Sequence, residues 1–119
     1  MAFIFSDNMD PNELGLIIKA RLELLSISEG GRSGPIFTEY KYRPNHNFGD
    51  ADNRSFYIGQ IEDPAKRNLM PGESYDIDVR FFGAKGLKDL LTLGRRWRIQ
   101  EGGRLVAFAE VLTLPETYD

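Results

Sequence analysis

The sequence predicts an all-β domain, an antiparallel barrel or sandwich. Three observations carry that expectation. Apolar residues recur with a period of two over several short runs, Gly- and Pro-rich clusters separate the runs, and 119 residues is the length of one domain. A chain of this size buries roughly two-thirds of its unfolded surface, enough for a core without covalent staples.

Residues 1–15 show no clear period, and Pro11 and Gly15 are placed to interrupt a helix. They are expected to form an N-terminal arm that covers an edge strand or swaps between chains, ahead of a barrel domain at 16–119. In LIIKARLELLSI, Ile18, Ala20, Leu22 and Leu24 fall on one face and Lys19, Arg21 and Glu23 on the other. In SYDIDVRFF, Tyr75, Ile77, Val79 and Phe81 alternate with Asp76, Asp78 and Arg80. In RRWRIQ, Trp97 and Ile99 alternate with Arg96, Arg98 and Gln100. Each run fits a strand with one dry and one wet face. Further strands are expected at 36–42, 56–62 and 105–114. The last has apolar residues on both faces, which implies burial on both sides. The separators EGGRSGP, YRPN, NFGDADN, EDPAK, MPGES and EGGR are turn sequences. AKGLKDLLTL breaks the period: Leu87, Leu90 and Leu91 at i, i+3, i+4 predict one short helix near 85–92. An apolar face on a loop is extra core or a docking site, and core is the expectation.

Hydrophobic content of 41% and charged content of 28% describe a globular chain. With no cysteine there is no disulfide frame, thiolate zinc site or cysteine nucleophile. The N-terminus lacks a basic region and a long apolar run, so no signal peptide is expected. No run nears the ~20 apolar residues of a membrane span, so no membrane association is expected and a cytoplasmic location is. A net charge of −3 argues against a free-standing nucleic-acid binder while leaving room for a local basic face.

Catalytic signals are poor. His46 is the only histidine, and RPNHNFGD places it in a polar loop rather than a triad. GDADNR (49–54) begins like a calcium loop, but Arg54 takes a ligand position and the sharp-turn glycine is absent, so a solvated turn is expected. No Gly-x4-Gly-Lys-Ser/Thr cradle exists. No enzyme activity, cofactor or metal is therefore expected. RRWRIQ interleaves arginine with an aromatic, as an RNA reader does, yet the strand period turns Trp97 into the core. Arg96 and Arg98 then either join Lys19, Arg21 or Arg80 in a basic stripe or lie on a face balanced by Glu23, Asp76 and Asp78.

Four landmarks stand in a familiar order: SISEGGRSGPIF, YRPNHNF, NLMPGESYDIDV and RWRIQEGGRLVAFAEVL. Over 17–114 the chain resembles the C-terminal β-barrel domain of elongation factor Tu, which carries both EGGR turns. The resemblance implies a six-stranded antiparallel barrel. That factor is a GTPase that delivers aminoacyl-tRNA. Its GTPase domain and middle barrel have no counterpart in these residues, so no GTP binding is expected of this chain. The family's C-terminal barrel holds the tRNA T-stem, packs on the GTPase domain and meets the nucleotide-exchange factor.

Position by position, the T-stem arginine of the first EGGR is Arg32, while the histidine after it is Ser33. The glutamine after YRP is Asn45, and the threonine before the strand glycine is Ile58. The lysine after the MPG strand falls near Gly83, two residues from Lys85. The arginine before the second EGGR is Gln100, whereas Glu101 and Gly102 match. Candidate RNA- or partner-binding residues are Arg32, Arg43, Asn45, Glu101, Gly102 and Arg104. Two functions stay open. One is a translation-linked binding domain that contacts tRNA, other RNA or a translation protein. The other is a protein-interaction module, of inhibitor, immunity or adaptor type, that keeps the fold without the tRNA site.

Overall fold

The alternating runs become strands that close on themselves. The computed structural model describes residues 15–82 and 85–118. The strands are β1 (Gly15–Leu24), β2 (Ile36–Phe37), β3 (Asn45–Asn47), β4 (Tyr57–Glu62), β5 (Asn68–Leu69), β6 (Ser74–Phe81), β7 (Arg96–Glu101), β8 (Arg104–Val111) and β9 (Glu116–Tyr118). A 3-10 turn at Leu87–Leu90 lies between β6 and β7. The order β1-β6-β4-β3-β7-β8 returns to β1, giving a closed six-stranded antiparallel barrel. β9 pairs with the start of β1, on the flank β8 vacates beyond Val111. β2 and β5 form a separate two-stranded ladder. Closure leaves each barrel strand with neighbours on both sides, which removes open sheet edges.

The period of two decides what lies inside. Ile18, Ala20, Leu22 and Leu24 of β1, Ile77, Val79 and Phe81 of β6, and Trp97 and Ile99 of β7 are all buried. The wet faces pair charge with charge. Lys19 meets Asp78 at 3.1 Å, Arg21 meets Asp76 at 3.1 Å, Arg80 meets Glu62 at 3.0 Å and Arg96 meets Glu23 at 2.9 Å. The balanced face is therefore what forms, not a basic stripe. Arg98 alone among these cations reaches no carboxylate within the described residues.

Several expectations need correction. The strand at 36–42 ends after Phe37, where the Tyr40 amide bonds the Phe37 carbonyl at 3.1 Å. Only Tyr42 rejoins the sheet, as a bridge to Ile61. The strand at 105–114 runs from Arg104 to Val111 and is not buried on both faces: Phe108 and Glu110 stay partly exposed. Its successive buried residues, Val106 and Ala107, come from a bulge, because one step from Ile99 to Gln100 on β7 spans two on β8. β3, β5 and β9 fall where no strand is expected from the sequence. The expected helix is the 3-10 turn, and it is core: Leu87 and Leu91 are fully buried. The arm lies outside the described residues except for Gly15, the first residue of β1.

Candidate functional site

The two EGGR turns lie at the same end of the barrel and hold each other. In the first, the Glu29 carboxylate accepts the Ser26 amide at 2.9 Å, and the Gly31 amide closes the turn on the Ser26 carbonyl at 2.9 Å. Gly30 turns the chain with φ 91°, a conformation that favours glycine. In the second, Gly102 does the same with φ 60° between β7 and β8. Each turn then sends its arginine to the other. Arg32 forms an ion pair with Glu101 and donates to the carbonyls of Gly34 (3.2 Å) and Pro35 (3.1 Å). Arg104 donates to the carbonyls of Gly30 (3.0 Å) and Gly31 (2.5 Å). Tyr42 adds a third strut, its hydroxyl donating to Glu101 at 2.6 Å beneath the Arg32 guanidinium. Burial, reinforced by the carboxylate, pushes the Tyr42 hydroxyl well above the usual phenol range.

Five of the six candidate residues therefore come together. Asn45 joins by donating to the Gly102 carbonyl at 3.1 Å. Arg43 does not: it points across β4, with its Nε on Gln60 at 2.9 Å and its guanidinium 4.9 Å from the centre of the Phe82 ring.

Of the altered positions that the resemblance singled out, Gln100 is buried, its side-chain oxygen accepting the Asn47 amide at 2.6 Å. Asn47 also donates to the Asp50 carbonyl and accepts from Gly49 and Asn53. The 49–54 segment is a turn tied down by Asn47, and Asp50 spends one carboxylate oxygen on the amides of Asp52 and Asn53. Among the described residues no group of three or more His, Asp or Glu converges as a metal site needs. Ile58, in contrast, stands 59% exposed on the barrel wall. Gly83 lies outside the described residues.

His46 is the main residue that sequence reasoning misplaced. It is not in a polar loop but fully buried in β3. Nδ1 accepts the Trp97 indole N–H at 3.0 Å, and Nε2 faces the Gly59 carbonyl at 3.0 Å. Indole nitrogen only donates and carbonyl oxygen only accepts, so the ring is the neutral Nε2–H tautomer. Burial drives its pKa down to about 4, against a weaker upward pull from the Gly59 carbonyl. Its place shows only through the pairing: His46 sits opposite Ile99 of β7, an inward position. No protein-family model matches the chain.

Proposed function

We propose that this chain is a non-catalytic binding domain that docks a protein, with a component of the translation machinery as the partner class. The resemblance to the C-terminal barrel of elongation factor Tu supplies that class. One observation favours protein over RNA: the arginines that the resemblance offers to RNA are already engaged. Arg32 makes an ion pair and two carbonyl bonds inside the clasp, and Arg104 closes on two carbonyls of the opposite turn. Gln100, where the family has arginine, is buried and neutral. A phosphate backbone is bound by cations free to release counterions. A domain of this kind, of inhibitor, immunity or adaptor type, competes with the elongation factor's own barrel for its protein partners.

The test is a pair of binding assays on the purified chain. One uses tRNA at low salt; the other uses elongation factor Tu and its nucleotide-exchange factor, read by co-elution. The expected result is a protein complex without a tRNA shift. A tRNA complex that forms at low salt and weakens steeply as salt rises overturns the proposal. RNA binding keeps one argument of its own, because Arg43, Arg54 and Arg98 reach no carboxylate among the described residues.

A further inference from the structure

We propose that the barrel wall centred on Ile58 and Phe82 binds an acidic, apolar protein segment, a site that rests on the protein-docking reading above. Gly59 of β4 pairs with Phe81 of β6, both inward, so Ile58 stands directly opposite Phe82 and both face out. The Phe82 amide bonds the Ile58 carbonyl at 3.2 Å, which keeps the two backbones in register beyond the end of β6. The two residues are 59% and 37% exposed. Side chains directly opposite on adjacent strands touch, so the two form one apolar patch. Asn45 borders it as the β3 partner of Ile58.

Arg43 sets the charge. Phe82 lies under its guanidinium and Gln60 holds its Nε, while its two Nη groups make no hydrogen bond among the described residues. Further along the wall the cations of β6 and β1 are neutralised: Arg80 by Glu62, Lys19 by Asp78 and Arg21 by Asp76. The apolar pair therefore sits beside a pre-oriented cation with donors to spare. A carboxylate next to a Leu- or Phe-like side chain complements both features. Among the described residues Arg43 is the cation placed against this pair, so an RNA strand would meet it and an aliphatic side chain, with one face of the Phe82 ring already covered by Arg43.

The experiment uses the full chain labelled with 15N and three probes: a hexapeptide alternating Asp and Leu, its Lys/Leu counterpart, and a short RNA hairpin. The Asp/Leu peptide is expected to shift the signals of Asn45, Ile58, Phe82 and the Arg43 Nε–H, with the Lys/Leu peptide and the hairpin leaving them in place. Ile58→Ser and Arg43→Gln should each weaken the peptide by roughly tenfold, about one hot-spot contact, with Tm unchanged because both positions are exposed. Equal binding of the Lys/Leu peptide, or Asp/Leu shifts on another face, overturns this site and leaves the protein-docking reading standing. Shifts from the hairpin alone overturn both.

Discussion

Burial of His46 makes the barrel's stability depend on pH between the ring's ordinary value of 6.5 and about 4. The ring is held neutral, its pKa lowered from 6.5 to about 4. In the unfolded chain it takes up a proton below 6.5, while the folded protein does not until about 4. Between those values the unfolded state binds one proton more, so unfolding becomes easier as pH falls. The contribution is complete above pH 6.5 and is lost progressively down to about 4. The slope is about 1.4 kcal/mol per pH unit, so roughly 2 kcal/mol disappears between neutrality and pH 5 and about 3 kcal/mol over the whole interval. Protonation also turns Nδ1 from acceptor into donor, opposing the Trp97 indole. Because the chain has one tryptophan and one histidine, urea unfolding followed by Trp97 fluorescence at a series of pH values reads this directly. His46→Phe removes the titration and should flatten the profile between pH 7 and 5, while lowering stability at neutral pH by about 1–3 kcal/mol for the orphaned indole N–H. Parallel profiles for the wild type and His46→Phe over that interval would refute the reasoning.

Three other changes test the packing and the clasp. Gly59→Ala places a methyl 2.8 Å from His46 Nε2 and 2.9 Å from the Phe81 ring, so a loss of about 1–3 kcal/mol is expected by chemical denaturation. Leu91→Ala should cost about 2–5 kcal/mol if the 3-10 segment is core, and a change under 1 kcal/mol would mean that this segment can leave the barrel. Arg32→Met and Arg104→Met should each cost about 1 kcal/mol, modest because both guanidiniums are partly solvated, and a double-mutant cycle should show coupling between them. Strict additivity would mean that the turns do not support each other.

The strands that alternate cleanly were legible because burial in a barrel wall has one inside and one outside. Trp97, Ile77 and Leu22 follow from period alone, and the two-leucine core under the 3-10 turn follows from helical spacing. The misses have local causes. β3 is three residues long and flanked by turn formers, so no period could surface, and His46 and Asn47 look like loop residues until their partners on β7 are known. The bulge at Val106 breaks the alternation of β8, which made burial on both faces look attractive. β9 borrows its register from β1 rather than from any pattern of its own, and Tyr118 is anchored by its hydroxyl on the Phe81 carbonyl at 2.6 Å.

Five of the six candidate residues meet in one cluster, but identity at a position does not reveal what the side chain is already doing. The resemblance offers Arg32 as a T-stem contact, while an arginine after such a turn can reach either backbone carbonyls or an anion. In the fold its guanidinium faces a carboxylate and two carbonyls, all within one part-buried cluster with Tyr42. An RNA that recruited it would leave Glu101 without its cation and two carbonyls without donors. Each such loss costs about 1–3 kcal/mol where the group stays buried, comparable to what a hydrogen bond to a charged group returns. The exchange is close to neutral, so Arg32 adds little to affinity for RNA even with the match intact. Ile58 and Phe82 stand the other way round. They give up only water when covered, and the Nη groups of Arg43 beside them make no hydrogen bond among the described residues. Binding at this barrel should therefore follow the exposed apolar pair and its arginine, rather than the two turns that first draw the eye in the sequence.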